Sequence, residues 1–323
     1  MSLETEALLD RRRLRRSMSF WRAAAVLAGV VAVAVLGFLA AGGPGGPLLE
    51  KRQIARVSLE GMITENRDQL TLLRKLARNQ NVAAVILYVN SPGGTTTGGE
   101  ALFEAIRDVA ERKPIVAQFG TIATSAAYIA GLATDHIIAR GNTITGSVGV
   151  IFQWAEVSDL LGKLGVKMNE VKSGPLKAVP SPFQPLGPEG RETTEKMVAE
   201  SMSWFRGLVA DRRKIETATI PGLEQGRIFS GREALQHKLI DGIGGEPEVV
   251  RYLIEQKGVA RNLKVVDWKP KKGDSLGVLG LLGQGAARLL GFDGAVMDWL
   301  ADDPRLAALR NGGLVSVWQP SEK

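Results

Sequence analysis

Ser125 stands in "TIATSAAY", residues 121–128, where an apolar run meets a stretch of small residues. A serine hydroxyl becomes a nucleophile when a neighbouring base accepts its proton. Ala123, Thr124, Ala126 and Ala127 leave room for an extended backbone to approach it. A helix starting here would direct N–H groups and the positive end of its dipole at a developing oxyanion. The same serine also reads as an ordinary helix N-cap. A second feature is "VNSPGG", residues 89–94. Paired glycines after a buried strand let the backbone turn tightly and point N–H groups at a ligand. Alone, this is no more than a Pro-Gly turn. Together, the N–H groups of Gly94 and Ala126 make a candidate oxyanion hole.

The proton acceptor is harder to find, because the chain has only two histidines. His136 lies in "TDHIIA", a short strand, and His237 in "REALQHKLID", on a helix face. Neither has the carboxylate arrangement of a triad, so both read as structural. Lys177 is the only charged residue between Ser173 and Phe183, among Pro175, Leu176, Ala178, Val179 and Pro180. A lysine in apolar surroundings loses hydration, which favours a neutral amine able to accept a proton. A solvated loop lysine is the alternative. Lys177 is the candidate general base.

These residues need elements to hold them. "IARVSLEGMI" alternates like a strand, and residues 66–80 carry Leu70, Leu73, Leu76 and Ala77 at helical spacing. "VAAVILYVN" is continuously apolar, as expected of a strand covered on both faces. A helix is expected from near Gly98, then a strand at "PIVAQFG" and a helix from Ser125. "DHIIA", "TITG", "SVGVIFQ" and "VKMNEVKSG" read as further strands, with helices over 156–164 and 188–217. Ser230 with Glu233 three residues on has the pattern of a capping box. Alternating strands and helices predict an α/β fold with largely parallel pairing.

The chain has 323 residues and no cysteine, which excludes disulfides, thiolate nucleophiles and zinc-thiolate sites. Its net charge of +7 is not arranged as a basic stripe with interleaved aromatics, so no nucleic-acid partner is expected. No cofactor or metal site is expected either. Residues 1–22 are rich in arginine, and Ala23–Ala41 is an uncharged run of 19 residues. As a helix that run spans roughly 28 Å, about one hydrocarbon core. A cleaved signal peptide is the alternative, although the run exceeds the usual apolar length. The positive-inside rule places the N-terminus in the cytoplasm. The expected organisation is a basic N-terminus (1–22), a transmembrane helix (23–41), a Gly/Pro linker (42–50), a catalytic domain (51–270) and a C-terminal segment (271–323), read as helical and of unassigned role.

"VNSPGG", "ATSAAY", "TITGSVGV", "SGPLK" with "SPF", and "GRIFSGREAL…LIDGIGG" occur here in one order. Over about residues 50–270 the chain resembles the short, single-repeat form of bacterial signal peptide peptidase A, peptidase family S49. The resemblance implies a ClpP/crotonase-like fold of repeated β-β-α units, here preceded by one transmembrane helix. It also implies a Ser-Lys dyad of Ser125 as nucleophile and Lys177 as base, with Ser147 orienting the lysine. Many members carry glycines where this chain has Ala126 and Ala127, which bears on substrate preference. The implied activity is endopeptidase cleavage of residual signal peptides, and of other membrane or misfolded protein segments, apolar peptide substrates met at the outer face of the cytoplasmic membrane. A cyclic homo-oligomer in which a neighbour completes the site is implied as well. The competing readings are another ClpP-like membrane protease with one protein substrate, crotonase-type acyl-CoA chemistry, and an inactive membrane-tethered peptide-binding scaffold.

Overall fold

The computed structural model describes residues 21–22, 24–31, 52–270 and 315–317. It divides into two units, residues 1–52 and 53–323. Of the first unit, residues 21–22 and 24–31 are helical, and Trp21, Val26, Leu27, Val30 and Val31 expose apolar side chains. No helix among the described residues is long and apolar enough to cross a membrane. Ala23, residues 32–41 of the expected span, and the 42–50 linker lie outside the described residues.

The second unit is built on an eight-stranded sheet. Its centre is three parallel strands, β1 (Gln53–Glu60), β2 (Val82–Ser91) and β4 (Ile115–Thr124). A short strand β3 (Gly93–Thr95) follows β2 directly. β4 pairs on its far side with β5 (His136–Ala139) along its first half and with β6 (Ile144–Gly146) at its end, both parallel. Antiparallel β7 (Ile228–Ser230) closes one edge beyond β6, and parallel β9 (Val265–Asp267) extends the other beyond β1. β8 (Gly242–Ile243) pairs with β5.

Both faces of β2 are buried, as its unbroken apolar run requires. Val85, Leu87 and Val89 join the larger core, with helices α1 (Arg67–Arg78), α2 (Thr96–Ala110) and α3 (Ala126–Leu132). Ala84 and Ile86 point the other way and meet Val249 and Leu253 of α7 (Glu246–Lys257). Between α3 and α7 lie α4 (Ser158–Lys163), the long α5 (Pro188–Arg213) and α6 (Gly231–Gln236). The Ser230 hydroxyl accepts from the Glu233 N–H, so Ser230 caps α6 as its spacing predicts.

Two expected strands are absent from the structure. Residues 147–153 form only an isolated bridge at Ile151, and 166–174 form no strand. Val148 is buried, but Ile151, Val166, Met168 and Val171, which also suggested them, are exposed. A strand is defined by its partner, and among the described residues no strand pairs with either stretch. α5 stops at Arg213, four residues before the periodic pattern, because Lys214 takes the left-handed conformation with φ 54°.

The histidines serve packing. His136 stacks on Tyr252 with centroids 3.8 Å apart, and its Nδ1 lies 3.7 Å from Asp241. His237 ends α6 and packs edge-on against Phe229. Burial pushes the His136 pKa down, against the opposing charge of Asp241. The folded chain thus favours neutral His136. That contribution to stability is present above the ordinary histidine value of about 6.5 and is lost as pH falls through the lowered folded value. We expect the melting temperature to drop between pH 7 and pH 5 by less in His136→Gln than in the parent. Equal drops would show that His136 is not a source of the acid sensitivity.

Candidate active site

The site lies where β4 ends. Thr124 pairs with Gly146, the Ser125 N–H donates to the Gly146 carbonyl at 2.9 Å, and the chain then turns into α3. Ser125 has φ 59° and ψ −122°, and its side chain makes no capping hydrogen bond to the helix. The N-cap reading therefore does not describe it. A non-glycine residue in the positive-φ region costs about 1–3 kcal/mol and persists only where its surroundings impose it. Ser125 is 1% exposed, and Ala126, Ala127 and Tyr128 behind it are fully buried. Tyr128 anchors α3 by donating its hydroxyl to the Leu239 carbonyl at 2.8 Å. Burial raises the Tyr128 pKa, so the phenol stays protonated as that donor.

The glycine strand sits beside this turn. Ser91 of β2 pairs with Ala123 of β4, and the Thr124 hydroxyl donates to the Pro92 carbonyl at 2.9 Å. The Ser91 hydroxyl accepts from the Gly93 N–H at 3.1 Å, which folds the turn. β3 packs against α3, so Gly94 and Ala126 belong to one neighbourhood. The Ile63 N–H donates to the Gly93 carbonyl and the Ile63 carbonyl accepts from the Thr95 N–H. Peptide groups alternate in direction along a strand, so the N–H and C=O of Gly94 face the opposite edge. A Cβ at Gly94 would lie 1.8 Å from the Ile63 carbonyl oxygen, so only glycine fits this close approach.

Ser147 follows Gly146 and so stands next to the nucleophile candidate. It is 8% exposed, has φ 52°, and its N–H donates to the Arg227 carbonyl at 2.9 Å. Lys177 is placed differently from the apolar pocket that its neighbours suggest. It is exposed, on a turn closed by its N–H and the Gly174 carbonyl at 3.1 Å. Its ammonium has no hydrogen-bond or ion-pair partner among the described residues. Of the apolar side chains of its loop, Leu176 and Phe183 are exposed, whereas Val179 is half-buried and packs beside Gly190. Among the described residues, five non-glycine residues have positive φ, and Ser125, Ser147 and Ala178, the neighbour of Lys177, are three of them.

His136 is far from this site. It pairs with Val116 near the start of β4, nine residues before Ser125, which is about 30 Å along an extended strand. Sequence reading missed Asn90. Its side-chain carbonyl accepts from the N–H groups of Thr121 and Ile122, where the β2–β4 register shifts. That bond sets the bulge that aims the end of β4, and only the pairing shows it. Within the C-terminal segment read as helical, residues 315–317 instead form a strand, β10 (Val315–Val317), antiparallel to β3, and the rest of that segment lies outside the described residues.

Family models match the chain in two overlapping stretches: Peptidase family S49 over residues 107–260 and Clp protease over residues 47–140. A "Putative protease" of Methanocaldococcus jannaschii is 31% identical over 223 residues, covering 69% of this chain and 71% of that protein. "Putative signal peptide peptidase SppA" of Enterococcus faecium is 32% identical, covering 68% of this chain and 67% of that protein. "Serine protease SPPA, chloroplastic" of Arabidopsis thaliana is 27% identical, covering 60% and 29%. The mixed α/β fold is of the ClpP-like kind, and the protein is a serine-type peptidase. The chain belongs to peptidase family S49.

Proposed function

We propose that the chain is a membrane-anchored endopeptidase working through a Ser125–Lys177 dyad on apolar peptides, residual signal peptides foremost. The observation that carries this reading is the strained, buried Ser125 at the β4–α3 junction, beside a glycine strand whose Gly94 N–H faces outward. Ser125 attacks the peptide carbonyl, and the N–H groups of Gly94 and Ala126 hold the oxyanion. Lys177 takes the serine proton and returns it to the leaving amine, and Ser147 orients the lysine. The substrate adds to the edge of β3 as a strand, so backbone bonding supplies affinity and side-chain pockets supply preference.

The exposed lysine is consistent with this mechanism if the site is completed by assembly. Ile151, Leu160, Leu164, Val166, Met168, Val171, Leu176 and Phe183 expose apolar surface along one segment. Apolar exposure repeated along one segment fits an interaction surface. In a cyclic homo-oligomer a neighbour would cover it and dehydrate the amine. A fluorophosphonate probe tests the reading directly. Label should appear on Ser125 and peptide hydrolysis should stop with it. An unlabelled, folded oligomer would favour the peptide-binding scaffold instead.

The anchor rests on Ala23–Ala41 beside the N-terminal arginines, and it places the catalytic unit outside the cytoplasmic membrane. Protease added to spheroplasts should therefore digest residues 53–323 while the membrane stays sealed. Protection of that region would reverse the topology.

A further inference from the structure

α2 begins directly behind the glycine strand and packs its first turn against the nucleophile helix. Thr95, the last residue of β3, caps α2, its hydroxyl accepting from the Gly98 N–H at 3.1 Å. Two buried glycines, Gly98 and Gly99, stand in that turn. A Cβ at Gly98 would lie 2.8 Å from the Thr64 backbone, so the turn packs directly on the chain before α1. A Cβ at Gly99 would lie 3.3 Å from the Ala126 Cβ and 3.3 Å from the Ile129 Cδ1, with the Ala126 Cα farther off at 3.6 Å. The Ala126 methyl therefore points at Gly99. Ala126 is fully buried, so this methyl fills the gap between α2 and α3 instead of lining the peptide track.

From this contact we propose that Gly99 is a positioning residue for the oxyanion hole, matched in size to the Ala126 methyl. The proposal rests on the functional reading given above, in which the N–H groups of Gly94 and Ala126 hold the oxyanion. Gly94 is joined to α2 through Thr95, and Ala126 meets α2 at Gly99. The first turn of α2 thus fixes the separation of the two donors. A Cβ on a packed helix yields only if its backbone yields. Two carbon atoms sit best at about 3.5–4.0 Å, so a methyl added at Gly99 pushes the first turn of α3 and the Ala126 N–H with it. Oxyanion donors act only if they meet the place the oxygen takes in the transition state. The loss then falls on kcat and not on KM.

Moving the methyl across the contact tests this. Gly99→Ala should lower kcat about fivefold with KM unchanged. Ala126→Gly opens a gap instead. It should lower kcat by one common factor for reporter peptides with alanine or with leucine before the scissile bond. Gly99→Ala/Ala126→Gly has a single methyl at the contact again and should run about threefold faster than Gly99→Ala. A double variant no faster than Gly99→Ala would overturn the proposal. So would an Ala126→Gly chain whose preference between the two peptides shifts. A second measurement needs no turnover: thermal unfolding of the parent and the three variants. The double variant should melt higher than the sum of the two single shifts predicts. Additive shifts would overturn the size match. Coupled melting with kcat unchanged in every variant would show packing without positioning, and would overturn the proposal too. Coupled melting with no hydrolysis by any chain, the parent included, would keep the size match and sink the peptidase reading, and the positioning role with it.

Discussion

Ser125→Ala and Lys177→Ala chains, each inactive alone, are expected to regain activity when co-expressed. Removing either member of a nucleophile–base pair costs on the order of 10⁴-fold or more in turnover, because the two act as a unit. His136→Ala and His237→Ala chains that fold should retain activity, since stacking on Tyr252 and packing on Phe229 are structural tasks. Rescue between the two dead chains follows from where Lys177 sits. It is exposed on a loop that also exposes Leu176 and Phe183. A neighbouring subunit could supply both the cover and the serine. In a randomly mixed ring about a quarter of the interfaces would join an intact serine to an intact lysine. Activity near that fraction, measured on mixed rings isolated through two different tags, supports the shared site. Mixed rings without activity would place the dyad within one chain.

The second large effect is expected at a residue with no side chain. Gly94→Ala puts a methyl 1.8 Å from the Ile63 carbonyl oxygen, a backbone atom that cannot swing aside. β3 must move, and the Gly94 N–H moves with it. Loss of one oxyanion donor lowers kcat by about 10²–10³-fold. The Gly94→Ala chain should therefore show a kcat lower by that factor. Circular dichroism matching the parent would confirm that the fold survives, since the central β1–β2–β4 sheet does not include β3. A folded Gly94→Ala chain with full kcat would remove Gly94 from the oxyanion hole.

The sequence by itself determined the sheet core and the place of Ser125 where a strand gives way to a helix. The continuous apolar run of β2 can only be satisfied by cover on both faces, and Val85, Leu87 and Val89 do separate from Ala84 and Ile86 in that way. The order of motifs brought Ser125 to the end of a strand and Gly94 to a turn, which local chain chemistry is enough to specify. Tertiary structure alone decided three further things. The positive φ of Ser125 comes from the Gly146 carbonyl that holds its N–H, a bond between residues 21 apart. The bulge before it depends on Asn90, whose side chain must reach across to β4. The exposure of Lys177 was not legible either, because apolar neighbours in sequence do not bury a side chain unless something packs over them. The same holds for 166–174, where alternating residues have strand character but no partner strand among the described residues. Pairing is a property of two segments, so the docking of Val315–Val317 on β3 emerges only when the fold lays an unpaired backbone edge beside the serine.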